Sequence, residues 1–210
     1  MIKAALFDLD GVIFDTEPQY TLFWGGQCRK YFPEQPGLEE TIKGQTLSQI
    51  YDTAFATVRD EQPLITERLN DFERQMAFDY IPGVVPFIES LRRRGVKTAI
   101  VTSSNLPKMS NVYRSHPEIM DLFDAILTSE DFTESKPHPQ CYLAGARRLG
   151  VEPLECVGFE DSLNGLKAVK AAGMKVVGLT TTLSPAVVAT YADVVVPNFL
   201  ELNPSDICPL

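Results

Sequence analysis

Histidine is scarce and cysteine is dispersed in this 210-residue chain, which contains two histidines and four cysteines. The cysteines form no C-x-x-C pair, and they lie far apart at Cys28, Cys141, Cys156 and Cys208. A disulfide framework or a structural zinc site needs closer grouping. This spacing therefore excludes both kinds of site and favours the reduced thiols of a cytoplasmic protein.

Long hydrophobic runs are also missing. No stretch approaches the ~20 apolar residues that a membrane-spanning helix requires. The apolar segment near the start is too short for a signal peptide and is closed by Asp8 and Asp10. We therefore expect a soluble, cytoplasmic protein that has no membrane partner.

Positive charge is in deficit, with 19 Lys and Arg against 28 Asp and Glu, a net charge of −9. Nucleic-acid phosphates are bound by clusters of Lys and Arg. The basic run 92–94 precedes Gly95, where cations stabilise the end of a helix. Nucleic acid is therefore excluded as a partner. The hydrophobic content of 44% is enough for a substantial core, and the length of 210 residues allows one domain or one with a modest insertion.

Apolar runs and helix-like segments alternate along most of the chain, which predicts an α/β fold. A parallel sheet with helices on both faces is typical of this order. The predicted strands are 2–7, 96–101, 124–128, 156–159, 175–179 and 193–196, and the predicted helices are 84–94, 107–115, 138–149 and 162–172.

The segment from about Gln19 to Tyr80 has a different texture, rich in aromatic and helix-favouring residues. We predict three or four helices in it, with breaks near 32–37 and 62–63. The chain would then consist of a core domain, 1–15 and 82–210, interrupted by a helical domain at 16–81.

Polar side chains follow three of the predicted strands. Asp8 and Asp10 follow the first, Thr102 the second, and Glu160 and Asp161 the fourth. Ligands of parallel sheets bind beyond the carboxyl ends of the strands, so we expect these residues to meet. Alternate residues of an extended segment point the same way, so both aspartates can face one pocket. The alternative is a turn with two solvated aspartates.

Carboxylates that lie close together repel one another, and a divalent cation relieves the repulsion. Carboxylates, water and a substrate oxygen suit Mg²⁺. For Glu160-Asp161 the alternative is helix capping, in which Asp161 or Ser162 accepts backbone N–H bonds. Both can hold, because one residue can cap while another binds the metal.

Four segments together resemble the motifs of the haloacid dehalogenase superfamily, in order and across nearly the whole chain. They are Asp8-Leu9-Asp10-Gly11-Val12, Val101-Thr102-Ser103-Ser104, Lys136-Pro137-His138-Pro139, and the run from Gly158 to Gly165. The Asp15-Thr16-Glu17 continuation, the helical insertion and the E-D-S-x-x-G form resemble the β-phosphoglucomutase/phosphatase-like branch. That branch carries a helical cap over a Rossmann-like core.

The resemblance implies a role for each motif. Asp8 would be the nucleophile that forms an aspartyl phosphate, and Asp10 would be the acid and base. Thr102 and Lys136 would bind the phosphoryl oxygens, and the substrate-binding residues after the second strand would be Ser103, Ser104 and Asn105. Mg²⁺ would be held by Asp8, the Asp10 carbonyl and Asp161, with Glu160 adjacent or coordinating through water. An acid two residues after the nucleophile indicates a phosphatase or phosphotransferase rather than a dehalogenase.

Within the insertion, Lys43-Gly44-Gln45-Thr46 resembles the cap loop that faces the active site, and Trp24 matches a cap aromatic near the substrate. Alternatively, Trp24 belongs to the helical core and Lys43 is a surface charge.

The chain departs from the β-phosphoglucomutases that it resembles at two positions. Leu47 stands where mutases carry an arginine for the second phosphate, and Tyr20 stands near the position of a histidine. Another basic residue, such as Arg74, could replace the arginine. We predict a monomeric Mg²⁺-dependent phosphatase acting on a small phosphorylated metabolite, such as a sugar phosphate, with a mutase as the alternative. A non-catalytic binding protein would be expected to lack Asp8, Asp10 or Lys136.

Overall fold

The computed structural model describes residues 1–43 and 45–207, and within these residues six parallel strands form one sheet. The strands are β1 (Ala4–Phe7), β2 (Lys97–Val101), β3 (Ala125–Leu127), β4 (Cys156–Glu160), β5 (Lys175–Leu179) and β6 (Val194–Val196). Their order is β3-β2-β1-β4-β5-β6, and every neighbouring pair is parallel. The order places β1 and β4, which end in the predicted carboxylates, next to each other at the centre.

The α-helices come in two groups. Four follow β1: α1 (Glu17–Tyr31), α2 (Leu38–Thr41), α3 (Leu47–Asp52) and α4 (Gln62–Glu73). The others alternate with the later strands or follow the last: α5 (Val84–Arg93), α6 (Leu106–Ser115), α7 (Ile119–Leu122), α8 (Gln140–Leu149), α9 (Leu163–Ala171), α10 (Pro185–Val188) and α11 (Pro204–Ile207). Short 3₁₀ segments lie at Arg59–Glu61, Ser129–Asp131, Pro153–Glu155 and Phe199–Glu201.

The central strand β1 is buried on both faces, as its unbroken apolar sequence requires. Ala5 and Phe7 belong to a hydrophobic cluster with α5 and α6, whereas Ala4 and Leu6 belong to a second cluster with α8 and α9. The Phe7 ring stacks on that of Phe159 from β4, with centroids 4.3 Å apart. This three-layer arrangement confirms the predicted α/β fold.

The helices α1 to α4, here called the helical insert (residues 17–73), have a hydrophobic cluster of their own. Two chain segments join the insert to the sheet region and run side by side. Phe14 and Tyr80 form an antiparallel bridge, and the Asp15 amide donates to the Asp79 carbonyl at 2.8 Å. The insert therefore leaves and re-enters the core at one place.

The predicted strands and long helices of the sheet region are confirmed to within about two residues, a normal uncertainty for element ends. Three short helices, α7, α10 and α11, were not predicted, because four residues are too few for a helical period to be recognised. The break expected near 62–63 marks the start of α4, with Pro63 in its first turn. The domain boundaries stay a prediction.

Across residues 1–43 and 45–207, none of the helices is both long enough and apolar enough to cross a membrane.

Candidate active site

Three carboxylates meet at the carboxyl ends of β1 and β4. Asp8 follows β1, Glu160 is the last residue of β4, and Asp161 comes next. Each contributes an oxygen to a group of atoms that all lie within 4.8 Å of one another. All three residues are at least nine-tenths buried. The parallel sheet thus brings together side chains that are about 150 positions apart in the sequence.

Lys136 lies in the loop before α8 and reaches into this cluster. Its ammonium donates to Asp8 Oδ1 at 2.7 Å and to Glu160 Oε1 at 2.6 Å. The same Glu160 oxygen accepts from the Tyr142 hydroxyl at 2.7 Å, and Glu160 Oε2 accepts from the Ser162 hydroxyl at 3.3 Å. Glu160 is therefore held by hydrogen bonds at both oxygens, behind the more accessible Asp8.

The negative charge of the cluster exceeds the single positive charge of Lys136. Burial and the charge of Glu160 raise the pKa of Asp8 to about 7, even though Lys136 opposes the shift. Burial and Glu160 also raise the pKa of Asp161 well above its ordinary value. A group of buried carboxylates with too little positive charge is a suitable environment for a divalent cation.

The donor set fits Mg²⁺, because it consists of hard carboxylate oxygens. Gly11 contributes to this fit through its missing side chain. A Cβ atom at this position would lie 2.0 Å from Asp161 Oδ2, and the φ of 71° favours glycine. Thr182 donates a hydrogen bond to the same Asp161 oxygen. The Asp161 carboxylate is thus packed against the Asp-x-Asp-Gly turn.

Different residues cap helix α9 and form the carboxylate cluster. Ser162 caps α9 by accepting the Gly165 amide at 3.1 Å, while Asp161 lies in the cluster. The sequence left open whether Asp161 or Ser162 caps the helix, and the capping residue is Ser162; metal binding by Asp161 stays a prediction.

Asp10 has a separate set of partners, all of which donate to its carboxylate. Thr16 Oγ1 lies 2.6 Å from Oδ1, and Ser104 Oγ lies 3.1 Å from Oδ2. Lys108 Nζ contacts both oxygens, at 2.6 and 2.5 Å. Burial alone would raise the pKa of Asp10, but Lys108 and these hydrogen bonds hold it below its ordinary value. Asp10 is therefore ionised at neutral pH.

The segment after β2 forms another wall of the site. The Ser104 amide donates to Thr102 Oγ1 at 3.0 Å, so this hydroxyl stabilises its own loop. Asn105 caps α6 by accepting the Lys108 amide at 3.0 Å. Thr102, Ser103, Ser104 and Asn105 all border one cavity.

That cavity has a volume of about 490 Å³ and lies between the strand ends and the helical insert. Several predicted site residues of the core line it, namely Asp8, Asp10, Thr102, Ser103, Ser104, Asn105, Lys136 and Asp161. Trp24, Lys43 and Gln45 line it from the insert. Glu160 lies beneath Asp8 with no exposed surface. Gly44, predicted in the same loop, lies outside the described residues.

Trp24 belongs to the core of the helical insert and also borders the cavity, and its contact with a substrate stays a prediction. Its ring packs near Phe55 in the insert, with centroids 5.7 Å apart, and only 7% of the residue is exposed, yet it also borders the cavity. Lys43 lines the cavity but forms an ion pair with Glu40 at 2.8 Å. Its charge is therefore already matched by a neighbouring carboxylate.

Leu47 and Tyr20, the two positions at which the chain departs from the mutases, both line the cavity. The Tyr20 hydroxyl donates to Glu73 Oε1 at 2.8 Å. Arg74 pairs with Asp71 and is not among the lining residues. Arg74 therefore does not take the place of the missing arginine in this conformation.

Sequence reasoning missed several residues of the site: Thr16 as a partner of Asp10, and Glu17, Glu73 and Lys108 as lining residues. A signal for Lys108 was present. It lies in the first turn of α6, where a positive charge is disfavoured by the helix dipole. A lysine at such a position is worth testing for a specific anionic partner.

The raised pKa values predict how magnesium affects stability. A protonated Asp8 stabilises the metal-free fold below the ordinary aspartate pKa of about 4, and this contribution is lost as the pH rises through about 7. Metal binding needs the deprotonated form, so the stabilisation by Mg²⁺ grows with pH. A ligand that binds only the folded protein raises its unfolding midpoint. We expect about 10 mM Mg²⁺ to raise the thermal unfolding midpoint more at pH 8 than at pH 6.

The thermal unfolding midpoint is measured by differential scanning fluorimetry, and two variants serve as controls. Asp161→Asn should lose most of the Mg²⁺-induced shift, whereas Asp121→Asn, at an exposed position on α7, should keep it. A shift of equal size at both pH values, or one retained in Asp161→Asn, would contradict the assignment of the cluster.

Comparisons with known proteins show what the chain is similar to. A family model described as haloacid dehalogenase-like hydrolase matches residues 2–173. Hexitol phosphatase B of Escherichia coli strain K12 is 29% identical over 198 residues, covering 83% of this chain and 82% of that protein.

Solved structures extend the likeness to the whole fold. β-Phosphoglucomutase from Clostridium difficile superposes with a TM-score of 0.81 at 26% identity, covering 99% of this chain and 96% of the other. CbbY from Rhodobacter sphaeroides, solved in complex with phosphate, gives a TM-score of 0.75 at 26% identity over 97% of each chain. The likeness therefore includes the helical insert as well as the sheet.

Proposed function

Because the chain belongs to the haloacid dehalogenase-like hydrolases and is a phosphohydrolase, we propose that it is a Mg²⁺-dependent phosphatase of small sugar-phosphate monoesters. The observation that carries the proposal is the meeting of Asp8, Lys136 and Asp161 at the floor of the cavity. Phosphatase-named relatives such as hexitol phosphatase B support the substrate class.

In the first step, an Asp8 carboxylate oxygen bonds to phosphorus and the ester P–O bond breaks, which leaves an aspartyl phosphate. Lys136 orients the nucleophile by holding Oδ1. Lys136 and the Thr102–Ser103 segment offer positive charge and hydrogen-bond donors to the phosphoryl oxygens.

Asp10 transfers the protons. The leaving oxygen needs a proton, and an ionised Asp10 must first acquire one. A phosphate monoester has a second pKa of about 6, so its monoanion brings a proton to the site. In the second step, water bonds to phosphorus while the bond to Asp8 breaks, and Asp10 accepts the proton that water loses.

The metal would be held by Asp8, the Asp10 carbonyl and Asp161. Glu160 would act from behind them, since both its oxygens already accept hydrogen bonds. When bound, Mg²⁺ supplies positive charge that stabilises the charge developing on the phosphoryl oxygens.

The helical insert, together with the short segments that join it to the sheet region, would form a cap domain at 16–81 on the core formed by 1–15 and 82–210. It provides the wall of the cavity opposite the strand ends, where the sugar would lie. Gln49 Nε2 donates to the Lys136 carbonyl at 3.0 Å, which ties the insert to the catalytic loop. Closure of such a lid excludes bulk water while the phosphoryl group is transferred.

The charges in the cavity favour hydrolysis over a mutase reaction. A mutase must hold a second phosphate, which requires a free cationic side chain. Lys43 is paired with Glu40, Lys108 is paired with Asp10, and the position of the expected arginine is Leu47. The carboxyl groups of Glu17, Glu39 and Glu73 line the same wall, although burial raises the pKa of Glu17 to about 7 and also raises the pKa of Glu73. A mutase is the second candidate, because the fold closely resembles β-phosphoglucomutase.

A substrate panel tests the proposal. We expect Mg²⁺-dependent release of inorganic phosphate from hexitol and hexose monophosphates, and chelation of the metal should slow it by ~10²-fold or more. The same preparation is given β-glucose 1-phosphate primed with the bisphosphate. Fast isomerisation without phosphate release would favour the mutase, and inactivity on the whole panel would overturn both.

A further inference from the structure

Lys108 is a buried cation at the proposed acid–base residue, and neither the sequence motifs nor the family resemblance assigns it a role. We propose that Lys108 is a positioning residue, which fixes the Asp10 carboxylate for both proton transfers. The proposal rests on the proposed phosphatase function.

The geometry around the ammonium is specific. Lys108 Nζ lies 2.6 Å from Asp10 Oδ1 and 2.5 Å from Oδ2, so it bridges the two oxygens. Thr16 and Ser104 each bond to one of these oxygens. With donors on both oxygens, the carboxylate has a defined position and a defined orientation about its last bond.

The surroundings of Lys108 show why its ammonium needs a negatively charged partner. The residue is 4% exposed, and lysine is almost never so buried without a partner. It also stands in the first turn of α6, where the helix dipole opposes its charge. Asp10 supplies the compensating negative charge.

The helical insert completes the environment of this ammonium. The Tyr20 ring of α1 lies 4.7 Å from Nζ, within cation–π range. The Tyr20 hydroxyl is held by Glu73 of α4. Lys108 thus lies between a core carboxylate and an aromatic ring of the insert, and so the position of Asp10 is linked to the position of the insert.

Proton transfer requires donor and acceptor to be within hydrogen-bonding reach. A carboxylate that rotates freely would spend less time aligned with the leaving oxygen or with water. Removal of Lys108 should therefore slow the steps that use Asp10 and leave intact those that do not.

p-Nitrophenyl phosphate separates these steps, because p-nitrophenolate leaves without needing a proton. With this substrate the first step does not depend on Asp10, whereas hydrolysis of the phosphoenzyme does. Stopped-flow measurements record the burst of p-nitrophenolate and the steady rate that follows. A phosphorylated hexitol, whose leaving group needs the proton, is assayed in parallel.

We expect Lys108→Met to keep the burst rate within about twofold and to lower the steady rate by ~10-fold or more. On the hexitol phosphate kcat should fall by at least as much, with KM nearly unchanged. Lys108→Arg, which keeps the cation, should recover part of the steady rate. Lys170→Met, at an exposed position on α9, should behave as wild type.

Three outcomes would overturn the proposal. An equal fall of burst and steady rates would assign Lys108 a structural role, and a large rise in KM with unchanged kcat would make it a substrate-binding residue. Retention of full activity by Lys108→Met would leave it no role. If Lys108→Met does not fold, the same comparison is made with Lys108→Arg and Lys108→Gln. An inactive wild type, in contrast, is a failure of the phosphatase assignment itself.

Discussion

Asp8→Asn is expected to lower phosphate release by about 10⁴-fold or more, because an amide cannot replace the carboxylate nucleophile. We expect the fold to be retained, because the amide has nearly the same shape as the carboxylate. The substitution also removes one of several negative charges that lie close together. The unfolding midpoint of the metal-free protein should therefore not fall. Phosphate release is measured at saturating substrate, and circular dichroism follows unfolding.

The control for this variant is Asp121→Asn, an exposed position away from the cavity that should keep full activity. Radiolabelled substrate provides a second readout, because wild type should trap label on the protein during turnover and Asp8→Asn should not. Substantial activity or retained labelling in Asp8→Asn would show that the nucleophile is another group.

Lys136→Met is expected to have the largest effect on stability, at about 3–5 kcal/mol, since it leaves buried charges without their partner. Burial would lower the pKa of Lys136, but Asp8 and Glu160 raise it above its ordinary value, so the group is charged at neutral pH. Activity should also fall steeply. Urea denaturation of the metal-free protein measures the change in the free energy of unfolding.

Two further variants make this result interpretable. Lys3→Met breaks an ion pair with Glu155 at the surface and should cost less than about 1 kcal/mol. In the double variant Lys136→Met/Glu160→Gln, part of the stability should return, because one uncompensated charge is removed with its partner. A Lys136→Met protein as stable as wild type would show that the cluster is not held by this lysine.

Much of the fold could be predicted from local sequence patterns. Apolar runs such as 156–159 mark buried strands, and the helices between them imply parallel pairing. The rule that ligands bind beyond the strand ends then brings Asp8 and Asp161 together without any knowledge of distance. The family resemblance, confirmed by the family model, supplied the candidate roles.

What could not be predicted depends on packing between distant elements. The ion pair of Lys108 and Asp10 exists because α6 begins beside the turn after β1, and no sequence period encodes that approach. The bond between Tyr20 and Glu73 likewise depends on how α1 packs against α4. The enclosure of Glu160 by Lys136, Tyr142 and Ser162 is of the same kind.

The side-by-side segments that carry the Phe14–Tyr80 bridge have a consequence for the diversity of such enzymes. Because the insert leaves and re-enters the core at adjacent points, its two ends lie close together on the core. Any compact segment with neighbouring termini could be grafted at the same place while the sheet keeps its register. One phosphate-handling platform can thereby acquire new leaving-group preferences by exchange of a module, with no redesign of its chemistry.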